Sequence, residues 1–168
     1  MMRSRSCPGE ENRFLASHVA ILRHSFRHWT GRELTPPGLS YDEAARYLYH
    51  APVALLSHDA SPDPVFDYAN KTALELFGWS WEEITRMPSR LSAEPVARAE
   101  RERLLRTVTE QGYIEDYCGI RIGRCGRRFR IENATVWNLL DPSGILCGQA
   151  ALIRRWTFLE PETTQDAP

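Results

Sequence analysis

Residues 63–84, DPVFDYANKTALELFGWSWEEI, change hydrophobic period in mid-run, and that change constrains the fold more than any other feature of the chain. Up to Asn70 the period is two, with Phe66 and Tyr68 on one face of an extended segment and Val65, Asp67 and Ala69 on the other. From Lys71 it is helical: Ala73, Leu76 and Phe77 fall at i, i+3 and i+4, Asn70 is suited to cap the first turn, and Gly78 to end the last. Ser80 and Glu83 have capping-box spacing and Trp79 can pack on Ile84, so a second helix is expected almost at once. A strand that tips directly into two short helices needs a sheet behind it and a core for the helices to cover.

The flanking patterns supply both. Val19, Leu22 and Phe26 lie at helical spacing within Phe14–Trp29, ahead of Gly31, and Ser40 can cap a helix through Tyr49 that Pro52 ends. VALLSHD and the segment around Phe66 are predicted to form a hairpin across ASPDP. A longer helix is predicted from Pro95 to Gln111, with Ala97, Leu104, Leu105 and Val108 toward the core and Gly112 at its end. Three strands follow. Alternation puts Ile114, Cys118, Ile120 and Ile122 on one face of the first, and Phe129, Ile131, Asn133, Thr135 and Trp137 on one face of the second. In the third it puts Cys147, Gln149, Ala151 and Ile153 together. The expected fold class is α+β, a five-stranded antiparallel sheet with helices on one face plus an N-terminal flanking helix. The expected boundaries are a disordered N-terminus over 1–12, the flanking helix over 13–34, the main domain over 35–157 and a disordered tail over 158–168.

That order of elements is similar to a PAS domain, and YANKTALELFGWSWEEI resembles the start of PAS modules. A narrower resemblance joins SHDASPDPVFDYAN, PSRLSAEP, GRRFRIENATVWNL and GQAAL, which look like the MEKHLA domain, a PAS-like family. The resemblance spans roughly Phe14 to Trp156. It implies a non-enzymatic module that senses a small molecule or binds a protein partner, with a ligand-sized cavity between sheet and helices. It names no cofactor. Adduct-forming flavin chemistry is disfavoured because MPSRLSAEP, where such folds carry a reactive cysteine, has none, and histidine-ligated haem because Pro95–Gln111 has no histidine.

Polar residues on core-facing positions are the candidate ligand contacts: Tyr68, Asn133, Thr135 and Gln149, with Trp137 beside them. A buried amide needs hydrogen-bond partners, which a ligand or a structural neighbour can supply. No catalytic or metal-ligating set is expected. His58, Asp59 and Asp63 are read as turn chemistry, and the four cysteines lack zinc-site spacing.

A net charge of −1 over 168 residues gives no general attraction to nucleic acid or anionic membrane. Arg121, Arg124, Arg127, Arg128 and Arg130 form a basic hairpin, the basis of an alternative nucleic-acid-binding reading, with Glu115, Asp116 and Glu132 diluting it. An enzyme using the same cavity is a further alternative. No apolar run is of membrane-spanning length and the N-terminus lacks a signal-type segment, so a cytoplasmic location is expected. The expected partners are a small-molecule ligand of unknown class, a separate signalling protein, and a second copy of the chain joined through the apolar stripe of VAILRHSFRHW.

Overall fold

A computed structural model describes residues 5–161; the expectations of disorder for residues 1–4 and 162–168 lie outside the described residues. The chain forms α1 (Ala16–Thr30), α2 (Tyr41–His50), β1 (Ala54–Asp59), β2 (Phe66–Ala69), α3 (Lys71–Phe77), α4 (Trp81–Ile84), α5 (Arg98–Gln111), β3 (Tyr113–Ile122), β4 (Arg128–Leu140) and β5 (Leu146–Phe158). The strands make one antiparallel sheet in the order β2-β1-β5-β4-β3.

Local chemistry sets the junctions. The Asn70 side chain accepts from Ala73 N at 3.0 Å, which caps α3, and from Leu55 N at 3.0 Å, while its amide donates to the Leu48 and Val53 carbonyls. One buried side chain thus starts a helix and pins it to β1 and the end of α2. Gly78 closes α3 at φ +76°, and the Ser80/Glu83 capping box opens α4.

Both faces of the sheet are covered. α3, α4 and α5 lie over the face carrying Leu56, Phe66, Ile131 and Ile153, which we call the inner face. On the outer face, Val19, Leu22 and Phe26 of α1 pack with Leu48 of α2 onto Leu55, Trp137, Leu139 and Leu152. The α1 stripe expected to support a homodimer therefore packs back on its own sheet. Burial of a Leu or Phe side chain contributes about 1.5–3 kcal/mol, which drives that closure. Residues 5–12, expected to be disordered, are tied down in part: the Trp81 indole donates to the Arg5 carbonyl at 2.7 Å, and Arg5 reaches His18 Nδ1 at 3.0 Å.

Bulges overturn three of the face assignments made from alternation. In β2, Tyr68 pairs with Ser57 and Phe66 with His58, leaving Asp67 as an extra residue. Phe66 consequently faces inward while Tyr68 joins the outer core. In β4, Asn133 adopts φ +51°, and the alternation slips there: Ile131 and Val136 both face the cavity side, while Thr135 and Trp137 turn outward. In β3, the register shifts around Asp116, which sits at φ +53°. Tyr117 then faces inward and Cys118, expected in the core, is exposed. A one-residue slip reverses every later side chain because the strand period is two.

Candidate ligand cavity

α5 crosses the inner face of the sheet and covers a partly open cavity of about 70 Å³. Its walls are largely apolar, from Leu56, Phe66, Phe77, Ile131, Val136 and Ile153. The polar side chains on it include His58, Arg101, Tyr117, Arg121 and Gln149, and among the described residues no aspartate or glutamate lines it.

Arg101 reaches the cavity because it lies on the apolar stripe of α5, four residues after Ala97 and three and four before Leu104 and Leu105. It is 8% exposed, donates to Ser89 Oγ at 2.6 Å, and forms no ion pair among the described residues. Burial, with repulsion from Arg121 second, lowers its pKa to about 10, so the guanidinium remains charged at neutral pH. Arg121 donates to the Tyr117 hydroxyl at 3.1 Å and lies over that ring.

His58 is also 8% exposed. Its Nδ1 lies 2.8 Å from the Asp59 carbonyl oxygen, which can only accept, so Nδ1 carries the hydrogen. In the neutral ring Nε2 is therefore an acceptor, and it is buried without a partner among the described residues. Burial depresses the His58 pKa, Arg101 depresses it further, and Asp67 and Asp59 act in the opposite direction.

Of the five residues expected to contact a ligand, the structure brings only Gln149 to the cavity. Gln149 is already engaged: its amide nitrogen has the Leu105 carbonyl, Thr109 Oγ1 and Asn138 Oδ1 within 3.1 Å. Asn138 in turn donates to the Val108 and Thr109 carbonyls. These two amides tie the C-terminal half of α5 to β4 and β5. Asn133 is half-buried at its bulge, away from the lining. Thr135 accepts from Arg154, the Trp137 indole donates to the Leu22 carbonyl, and Tyr68 stacks on His18 at 5.6 Å, all on the outer face. Arg101 and Asn138 were missed by sequence reasoning. The signal for Arg101 was its place within the stripe of α5; Asn138 shows itself only once the β4 slip is known.

Other charged groups have local partners. Asp59 accepts from Ser61 and Val65 in the hairpin turn, and Asp63 pairs with Arg90. In the basic hairpin, Arg124 pairs with Glu83, Arg128 with Glu94, and Arg127 lies over the Phe158 ring. A Ser–His–Asp contact exists on the outer face, but in the wrong order for acyl transfer. Ser57 donates to Asp67 at 2.5 Å and meets His18 Nε2 at 2.9 Å, while His18 Nδ1 faces Arg5 rather than an orienting carboxylate. His18 and Ser57 are buried and Asp67 is half-buried, and of the three Ser57 also borders the cavity.

Among the described residues no helix is long and apolar enough to cross a membrane. Comparison of the fold finds similarity to the PAS domain of a protein from Colwellia psychrerythraea at TM-score 0.57 and 17% identity, covering 66% of this chain and 91% of that one. A Light-Oxygen-Voltage domain studied with a flavin analogue gives TM-score 0.55 and 18% identity over 69% of this chain and 84% of that one. A fungal Light-Oxygen-Voltage photoreceptor domain gives 0.55 and 20% over 80% and 88%. These likenesses establish a PAS-like fold. No curated protein matches the sequence. The sequence does match the MEKHLA domain over residues 16–158, most of its length, and the chain belongs to the MEKHLA domain family.

Proposed function

We propose that the protein is a non-enzymatic sensory module that binds a small molecule under α5 and passes the bound state to a separate signalling protein. The observation that supports this reading is the pair of buried polar side chains, His58 and Arg101, on a largely apolar cavity, each with fewer partners among the described residues than it can take. Apolar cavities with a few convergent polar groups are the usual form of a ligand site.

Size narrows the occupant. The cavity, at about 70 Å³, is small. Drug-sized ligands occupy roughly 300–1,000 Å³. The cavity is smaller than sites of that kind, and no cysteine lines it among the described residues. The occupant is therefore a compact molecule.

A route from cavity to surface supports the signalling half. The C-terminal end of α5 is held by Asn138 and Gln149, and its terminal Gly112 sits at φ +95° directly against the Trp29 ring of α1. The Trp29 indole donates to the Asn138 carbonyl at 2.9 Å. A shift of α5 on binding would press on α1. Native mass spectrometry of the freshly purified protein, with its absorption spectrum, tests the binding half. A copurifying small mass released by denaturation is expected; retention of none, with no small molecule perturbing cavity signals by NMR, would sink it.

A further inference from the structure

We infer that the cavity under α5 takes a small carboxylic acid with a short apolar chain, bound as its carboxylate together with one proton, with Arg101 and His58 Nε2 facing the carboxyl group. This rests on the reading of the cavity as a ligand site and specifies its chemistry.

Three observations converge. Among the described residues the lining carries two arginines and no acid, so the site presents positive charge that no described group on the wall neutralises. Arg101 holds a planar fork of donors in a nearly dry setting with one side-chain hydrogen bond, to Ser89, among the described residues. A carboxylate matches that fork with two parallel bonds. The rest of the wall is mostly aliphatic and aromatic, with Ser57, Ser92, Tyr117 and Gln149 its other polar members, and the space is small, which suits two or three carbons. Inorganic phosphate, a more strongly hydrated anion with no apolar part, would lose its water to a wall that gives little back.

The proton follows from His58. With Nδ1–H committed to the Asp59 carbonyl, neutral Nε2 is an acceptor and would repel a bare carboxylate oxygen. One proton between Nε2 and that oxygen turns the contact into a hydrogen bond, whether the imidazole or the acid formally holds it. The charged groups around His58 are Arg101 from α5, Asp67 from β2 and Asp59 on its own strand, with Arg121 and the Tyr117 phenol of β3 on the same cavity. Arg101 opposes protonation of the free site, and an incoming carboxylate offsets that opposition. Above the pKa of both the free acid and free His58, uptake of one proton makes apparent affinity fall about tenfold per pH unit.

The test uses propionate, with neutral propionamide and inorganic phosphate as controls, followed by NMR of the full chain from pH 6.5 to 8.5. Propionate is expected to shift the Arg101 Nε–H and His58 ring signals with that pH slope. Arg101→Gln should weaken binding by about tenfold or more. Arg101→Lys, which keeps the charge and loses the fork, should weaken it less and covers the case in which the glutamine variant does not fold. His58→Asn should flatten the pH slope, an effect that a purely structural role would not produce. Equal binding of propionamide at the same signals, binding of phosphate in preference, or a flat slope in the unmodified protein overturns the carboxylic acid while leaving the cavity a ligand site. Failure of every probe to move a cavity signal overturns both.

Discussion

The two faces of the sheet bury similar polar groups under different conditions. On the outer face, beneath α1, His18, Ser57 and Asp67 satisfy one another, and the Trp137 indole finds the Leu22 carbonyl. On the inner face, beneath α5, Arg101 has Ser89 alone as a side-chain partner among the described residues and His58 Nε2 has none. A buried polar group left short of partners costs roughly 1–3 kcal/mol, and two such groups on one cavity favour a ligand that can pair with both. The outer face also leaves one such group, the Tyr68 hydroxyl, without a partner among the described residues, whereas on the inner face Arg101 and His58 line one cavity.

That contrast breaks most readily on substitution. Leu22→Ala, in the packed outer core, is expected to cost about 3 kcal/mol in urea-induced unfolding. Arg101→Met removes an uncompensated buried cation, and is expected to leave stability unchanged within about 1 kcal/mol or to raise it. If the arginine variant loses as much as the leucine variant, Arg101 is a structural brace and the contrast fails. Gly112→Ala comes next, because a Cβ there would lie 2.4 Å from the Trp29 ring at a φ that side chains avoid. A loss of about 2 kcal/mol is expected, together with altered hydrogen exchange at the ends of both α1 and α5. Exchange changes confined to α5 would argue against coupling between the faces.

Asn133→Ala is expected to cost about 1 kcal/mol for the left-handed residue at the β4 bulge, and Asn133→Gly nothing. A glycine variant as unstable as the alanine variant would mean that the asparagine side chain, and not its backbone, holds the bulge. The smallest effect concerns pH. Burial lowers the pKa of His18 on the outer face and of His58 on the inner, so each binds its proton more readily in the unfolded chain. Their contribution is fully present above the unfolded value near 6.5 and is lost as pH falls from there toward the lowered folded values. Arg101→Met should raise the folded pKa of His58 in an NMR titration and leave His18 where it was; parallel shifts would show that Arg101 acts on the whole fold and not on its cavity neighbour.

What the sequence by itself determined was the punctuation: the Asn70 cap, the Gly78 stop, the Ser80–Glu83 box, the α1 stripe and the order of strands and helices. Each of these is written in residues within a few positions of one another, because caps and turns close their hydrogen bonds locally. The candidate site was less accessible. Gln149 fell where alternation put it, but Tyr68, Thr135 and Trp137 were assigned to the wrong face and Asn133 sits at a bulge away from the lining, since alternation was continued through bulges that the local pattern does not reveal. Pairing across strands decides a bulge, and pairing is a long-range property. Arg101 was visible as an arginine on an apolar stripe. Only the tertiary structure, by placing that stripe over a cavity with His58 and without an acid, decided that its charge faces inward.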